Sequence, residues 1–200
     1  MNKFTKLEQL EEKVRSDEKN IVAWYDLAMV YFEVERYSQA ADALKSIIDR
    51  DPAHLMAHYT LGVVYINMGS FFEAAEKLKK VIEMNANFPE AYKNLGVVQL
   101  TLGKKEEAID SLLKASEIKP DYPEAYSLLG DIYLDMGRTE DAIGAYNTAL
   151  RIDPNSPDAH ISLAMMYISQ GNIEGLKYEY EFIKEVEPEL AEKMRSLWGL

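Results

Sequence analysis

The sequence predicts an all-α repeat protein made of antiparallel helix pairs. The chain of 200 residues repeats the same residue types every 34 positions, and the repeat keeps its register through most of the chain. Each copy divides into two helical stretches joined by a short turn that usually contains glycine. Because one such copy cannot bury its apolar face alone, neighbouring copies are expected to stack into one array.

The repeat is clearest between Pro89 and Tyr122. An aromatic residue or histidine recurs first, followed three residues later by leucine and then by glycine or alanine. The first position holds Trp24, His58, Tyr92, Tyr126 and His160, and the last holds Ala28, Gly62, Gly96, Gly130 and Ala164. Glycine inside a helix costs about 1 kcal/mol relative to alanine. We therefore expect a partner helix to approach closely there, at the recurring alanines Ala40, Ala74, Ala108 and Ala142.

Turn residues mark the ends of the predicted helices. Glycine closes the first helix in four copies, and we expect either positive φ or no room for a side chain at Gly69, Gly103, Gly137 and Gly171. The first copy has Glu35 and Arg36 at this place, which predicts a slightly different turn. Asp, Asn and Pro clusters are predicted to cap the first helices, at Asp51-Pro52, Asp121-Tyr122-Pro123 and Asn155-Ser156-Pro157.

This pattern resembles the tetratricopeptide (TPR) repeat, with its aromatic residue, Leu-Gly and Tyr on a first helix and Ala and Pro on or after a second. The copies span residues 21–54, 55–88, 89–122, 123–156 and 157–190. Some positions depart from the family pattern, including Ala86 for Pro, Gln99 for Tyr and Leu176 for Ala. The resemblance implies a single right-handed α-solenoid over residues 1–200.

Both ends of the array are predicted to carry capping helices, in residues 1–20 and 191–200. The N-terminal stretch has Phe4, Leu7, Leu10 and Val14 at helical spacing, surrounded by basic residues. The C-terminal stretch has Leu190, Met194, Leu197 and Trp198. Solenoid ends need covering, which favours caps. An exposed Trp198 that anchors a partner is the alternative.

Composition narrows the classes of partner. The formal net charge is −12, which disfavours nucleic acid and anionic membranes and favours a basic or neutral protein. The chain has no cysteine, and therefore no disulfide or thiol chemistry. No apolar run resembles a signal peptide or is long enough for membrane insertion, so a cytoplasmic location is expected.

Residues suited to catalysis or metal binding are few. His54 and His58 are four residues apart, as are Asp131 and Asp135, and both spacings suit metal ligands on a helix. However, His58 and His160 occupy the aromatic packing position, and the two aspartates suit a solvated or peptide-facing surface. No phosphate-binding loop or nucleophile motif is present. We therefore expect no enzyme activity, no metal and no cofactor.

The resemblance instead implies a peptide-binding groove lined by the first helices. Carried over position by position, the groove residues are Tyr25, Met29, Phe32, Glu33, Met56, Tyr59, Val63, Ile66, Glu90, Lys93, Val97, Glu124, Asp131, Asp135, Asp158 and Met165. The set is apolar and aromatic in the first half and acidic in the second, with Lys93 as its one base. Packing of some apolar members between neighbouring repeats would shrink the apolar patch.

Two functions follow from these expectations. The first is a scaffold or adaptor that binds a protein or peptide segment with apolar anchors and Lys or Arg. The alternative is a self-assembling scaffold, in which the apolar and basic N-terminal helix enters the groove of a second copy. In this alternative the chain resembles bacterial TPR proteins that coat organelles, such as the magnetosome-associated kind.

Overall fold

The computed structural model describes the backbone of residues 3–198 and the side chains of residues 5–196. These residues form twelve α-helices and no strand, so the predicted all-α class is confirmed. The helices are α1 (Lys3–Ser16), α2 (Ile21–Glu33), α3 (Tyr37–Arg50), α4 (Leu55–Asn67), α5 (Phe71–Met84), α6 (Pro89–Thr101), α7 (Lys105–Ile118), α8 (Pro123–Asp135), α9 (Thr139–Ile152), α10 (Pro157–Gln170), α11 (Ile173–Val186) and α12 (Pro188–Trp198).

Each predicted repeat forms one pair of helices. The five first helices, α2, α4, α6, α8 and α10, begin at the first residue of the predicted copies. Each second helix ends within one residue of its expected end. Proline stands in the first turn of α6, α8 and α10, where its missing N–H costs no helical hydrogen bond.

The helices group into two compact units, residues 1–111 (unit 1) and residues 112–200 (unit 2), and the division falls within α7. Unit 1 holds an apolar core built from α1 to α4 and a second from α4 to α6. Unit 2 holds one core around Tyr146 and Leu163, and another that joins α10, α11 and α12. One continuous array over the whole chain remains a prediction.

The turns between paired helices share one backbone conformation. Gly69, Gly103, Gly137 and Gly171 have φ between 67° and 75°, as predicted. Glu35 has φ 59°, the same left-handed conformation. Its neighbour Arg36 donates its backbone N–H to Tyr31 O at 2.8 Å, as Ser70 does to Tyr65 O at 2.9 Å. The expectation of a different turn in the first repeat is therefore wrong, because glutamate adopts the conformation that glycine takes elsewhere.

The helical glycines do face a partner helix closely, but the nearest residue differs from our prediction. A Cβ added at Gly62 would lie 3.1 Å from Leu78 Cγ and 3.6 Å from the carbonyl oxygen of Ala74. A Cβ at Gly130 would lie 2.7 Å from the ring of Tyr146. Leu78 and Tyr146, each four residues after a recurring alanine, therefore fill the space beside these two glycines.

Side chains cap only some of the helices, and Tyr122 and Ser156 of the predicted clusters make no side-chain cap hydrogen bond at the starts of α8 and α10. Asn20 accepts the backbone N–H of Ala23 at the start of α2, and His54 Nδ1 accepts that of Ala57 at the start of α4. Asp51 ends α3 instead, and its carboxylate accepts the N–H of Ala53. Asp51 was predicted to cap the following helix; His54 does so.

The terminal helices lie against their neighbouring repeats. Leu7, Leu10 and Val14 of α1 are buried against α2, and Tyr31 donates its hydroxyl to Glu11 at 2.7 Å. In α12, Ala191 and Met194 are buried against the last repeat. Both helices occupy the place of a cap. The side chains of Phe4, Leu197 and Trp198 lie outside the described residues.

Candidate interaction surfaces

The predicted groove residues of unit 1 lie on α2, α4 and α6 and define the unit 1 surface. Spacings of three and four residues place them on one side of each helix. The members are Tyr25, Met29, Phe32, Glu33, Met56, Tyr59, Val63, Ile66, Glu90, Lys93 and Val97, and each keeps some solvent exposure. The first helices therefore present a set of accessible apolar and aromatic side chains.

Two tyrosines of this surface bind the next first helix. Tyr25 Oη lies 2.9 Å from Thr60 Oγ1, and Asn94 Nδ2 donates to Tyr59 Oη at 3.1 Å. Each bond joins positions 35 residues apart, which means one repeat plus one residue. The bonds fix both rings in place, and burial raises the pKa of the Tyr59 hydroxyl. The two tyrosine rings are therefore held in fixed positions, whereas the methionine side chains of this surface keep more rotamer freedom.

Packing reduces the apolar area that a partner can reach. Tyr25, Phe32, Tyr59 and Ile66 are half-buried against the cores of unit 1. Met56 is more accessible, with 40% of its surface exposed. The unit 1 surface therefore combines half-buried aromatic rings with exposed flexible side chains, as anticipated for residues that pack partly between repeats.

The remaining predicted residues define the unit 2 surface, which is mainly acidic. Its members are Glu124, Asp131 and Asp135 on α8 and Asp158 and Met165 on α10, all exposed. Glu124 and Asp158 stand in the first turns of their helices, where the helix dipole favours a negative charge. Met165 is 55% exposed and adds an apolar contact beside the carboxylates.

The carboxylate of Asp131 is held in place by a hydrogen bond from a buried tyrosine of α9. The buried Tyr146 of α9 donates its hydroxyl to Asp131 Oδ1 at 2.5 Å. The Tyr146 ring packs on Gly130. Because Gly130 has no side chain, the ring can lie against the helix and its hydroxyl can reach Asp131. Desolvation raises the pKa of Asp131 and the neighbouring Asp158 raises it further, whereas the Tyr146 hydrogen bond lowers it. The bond thus stabilises a charged carboxylate beside a second acid.

Sequence reasoning missed the partners of these residues. None of Thr60, Asn94 and Tyr146 was among the predicted groove residues, yet each binds a surface residue. One signal was available for Tyr146, since it replaces leucine at its repeat position directly opposite Gly130. The Thr60 and Asn94 contacts depend on the stagger between neighbouring helices, which the sequence does not specify.

The histidine rings make hydrogen bonds to backbone groups. His58 and His160 are buried, which confirms their assignment to packing positions. His58 Nε2 lies 3.0 Å from Pro52 O, and His54 serves as the helix cap described above. The side chains that the structure describes include no group of three or more His, Cys, Asp or Glu residues placed to hold a metal ion.

Comparisons with known proteins agree on one family. Models described as TPR repeat or tetratricopeptide repeat match residues 25–71, 57–88, 100–137 and 130–171. The chain belongs to the tetratricopeptide repeat family. The fold is that of protein-interaction scaffolds. A search of curated proteins gives no match.

Several solved structures share this fold. The MamA protein is 26% identical with a TM-score of 0.74, covering 90% of this chain and 96% of its own. YrrB, described as a TPR protein with an unusual peptide-binding site, is 19% identical with a TM-score of 0.71, covering 94% and 98%. PilF of Pseudomonas aeruginosa is 16% identical with a TM-score of 0.78, covering 92% and 86%. Within the described part of the chain, no helix has the length and apolarity needed to cross a membrane.

Proposed function

We propose that this chain is a non-enzymatic, cytoplasmic scaffold that binds a protein segment carrying apolar anchors and Lys or Arg. The observation that carries the proposal is the different chemistry of the two surfaces. The unit 1 surface is mainly apolar and aromatic, with Glu33, Glu90 and Lys93 as its charged members, and the unit 2 surface carries four carboxylates and no base. Each surface is proposed by itself, the unit 1 surface for apolar anchors and the unit 2 surface for Lys or Arg.

The unit 1 surface supports the apolar part of this proposal. Fixed aromatic rings bind a partner without losing much side-chain entropy, because Tyr25 and Tyr59 are already held by hydrogen bonds. Exposed methionines adapt to different apolar side chains, and they are enriched at protein interfaces. An extended or helical segment with apolar anchors suits such a surface.

The unit 2 surface supports the basic part. Its carboxylates repel acidic segments, and they attract lysine and arginine at long range. Asp131 already has one oxygen occupied by Tyr146, which fixes the direction in which the other oxygen points. A cation that approaches Asp131 and Asp158 also relieves the repulsion between these two acids.

A peptide binding experiment tests both surfaces. The probe is a labelled peptide in which leucine and phenylalanine alternate with serine and are followed by lysines; a second probe replaces the lysines with glutamates. We expect the full-length chain to bind the lysine probe, more weakly at high salt, and to reject the glutamate probe. Equal affinity for both probes would contradict the role of the acidic surface.

Matched variants assign the binding to the proposed residues. Glu124→Lys with Asp158→Lys should weaken the lysine probe about tenfold. Glu140→Lys with Glu174→Lys makes the same charge change in the first turns of second helices, and we expect a smaller effect. For unit 1, Met56→Ser should weaken binding. Met68→Ser is the control, because Met68 is 41% exposed and Met56 is 40% exposed, and it should leave binding unchanged. Equal losses within either pair would contradict the assignment.

Self-assembly is the second candidate, and one observation favours it. Helix α1 carries Lys6, Lys13 and Arg15 beside its apolar stripe, so its chemistry matches the proposed partner. Light scattering behind size exclusion, at two protein and two salt concentrations, tests this candidate. A mass that rises with concentration and falls with salt, and that is lost when residues 1–16 are deleted, supports it. A mass of one chain throughout rejects it.

A further inference from the structure

The fifth repeat buries a histidine–glutamate pair that is absent from the other repeats. His160 Nδ1 lies 2.5 Å from Glu179 Oε2, and the two side chains are 6% and 3% exposed. The ring of Phe182 stacks on the imidazole, with centroids 3.7 Å apart. The positions equivalent to Glu179 in the earlier repeats are Ala43, Lys77, Ser111 and Ala145. The pair therefore joins α10 to α11 in this repeat alone.

The hydrogen bonds of His160 fix the number of protons that the pair holds. Its Nε2 lies 3.1 Å from the carbonyl oxygen of Pro154, which can only accept, so Nε2 carries a proton. A second proton must lie between Nδ1 and the carboxylate, because otherwise two lone pairs would face each other. This proton belongs either to an imidazolium or to a carboxylic acid, and the count is the same for both.

We propose that His160 and Glu179 form a proton-binding site that holds α10 against α11 and weakens this contact when it loses its proton as pH rises. Loss of one proton would leave the imidazole a single N–H for two buried acceptors, the Glu179 carboxylate and Pro154 O. A buried acceptor without a donor is unfavourable, so the helix pair would loosen. The ligand of this site is a proton, and the site depends on no partner protein.

The surroundings of the pair agree with this assignment. Burial is the largest influence on Glu179 and raises its pKa, while the hydrogen bond and charge of His160 lower it. Arg151 of α9 and Tyr178 of α11 line the cleft beside the pair, and Glu181 and Glu185 of α11 border His160. From α12, Leu190, Ala191 and Met194 pack on the adjoining core.

The direction of the pH dependence follows from proton counting. In the unfolded chain, glutamate loses its proton near about pH 4.3 and histidine near about pH 6.5. Above about pH 6.5 the folded pair still holds a proton that the unfolded chain has lost, so folding takes up a proton. The stability that the pair contributes is therefore fully present between about pH 4.3 and about pH 6.5, and it is lost as pH rises further, until the folded pair releases its proton.

His58 provides a natural comparison within the same chain. It occupies the equivalent position three repeats earlier, and its Nε2 also binds a proline carbonyl, that of Pro52. Its Nδ1 is buried and has no hydrogen-bond partner among the described residues. His58 therefore lacks the second acceptor that Glu179 provides for His160, so the proposed site is confined to His160.

The test compares urea unfolding of the full-length chain with that of Glu179→Gln between about pH 6.5 and 8.5. The amide of Glu179→Gln donates to a neutral His160 ring, so it keeps the hydrogen bond without the shared proton. We expect the unfolding constant of the wild type to rise up to about tenfold per pH unit relative to this variant. His58→Tyr, which places the tyrosine of the third and fourth repeats there, should follow the wild type. Parallel pH curves for wild type and Glu179→Gln would overturn the proposal.

A second measurement needs no variant. When urea unfolds the wild-type chain near about pH 8, a dye in weak buffer should record the release of about one proton per chain. Unfolding without proton release would overturn the proposal, even if Glu179→Gln does not fold.

Discussion

Gly130 shows how a single position fixes the packing of a repeat. A Cβ there would lie 2.7 Å from the ring of Tyr146, closer than real Cβ contacts come, and the obstacle is a buried ring that has little room to move. The same ring carries the hydroxyl that binds Asp131. Packing and surface chemistry of the fourth repeat therefore depend on the same missing side chain.

The first prediction concerns two glycines of unit 2. Gly130→Ala should lower the free energy of unfolding by about 1–3 kcal/mol, because the methyl group overpacks against Tyr146. Gly144→Ala is the matched control, since a Cβ at this helical position meets nothing within 4 Å. There alanine should stabilise the helix by up to about 1 kcal/mol. Urea unfolding measures both, and equal effects would contradict the close contact at Gly130.

The second prediction concerns Glu35, whose φ of 59° is unfavourable for a residue with a side chain. Glu35→Gly should raise the free energy of unfolding by about 1 kcal/mol, because glycine adopts this conformation without steric cost. Gly69→Ala at the equivalent turn should act in the opposite direction. The measurement is again urea unfolding. A destabilised Glu35→Gly would show that the glutamate side chain has a role that outweighs its backbone strain.

At the scale of elements, the sequence predicted the helices well because their signals are local. Prolines and glycines mark the ends, and apolar spacing marks the buried sides, so the five first helices begin where they were expected. The failures were contacts between elements. Whether Ala74 or Leu78 lies nearest to Gly62 depends on how far two helices slide along each other, and spacing within one helix carries no information on this.

The third prediction tests whether α1 covers its own first repeat in solution. Leu7 is buried against the core of unit 1, so Leu7→Ala should lower the free energy of unfolding by about 2–5 kcal/mol. Lys6→Ala on the exposed side of the same helix should have little effect. If both variants unfold like the wild type, α1 is not held on the first repeat, and its release towards a second copy becomes the better account.

At the scale of the whole molecule, the family resemblance predicted that a partner binds the first helices. The residue types predicted the chemistry of that surface. The change from apolar positions in the first half to acidic positions in the second can be read from the sequence, because each repeat contributes the same positions. The fixed orientation of Tyr59 by Asn94 and of Asp131 by Tyr146 could not be read, since both depend on hydrogen bonds between helices. The proton-binding pair of the fifth repeat was likewise hidden, because Glu179 resembled one more surface acid in an acidic helix.

The most direct test of the proposed function is to map where the lysine probe binds. In nuclear magnetic resonance spectra of the isotope-labelled chain, the proposal predicts that the probe shifts the amide signals of α2 and α4 in unit 1. In unit 2 it predicts shifts in α8 and α10. Shifts confined to the second helices α3, α5, α9 and α11, or no shifts at saturating probe, would contradict the assignment of the first helices as the binding surface.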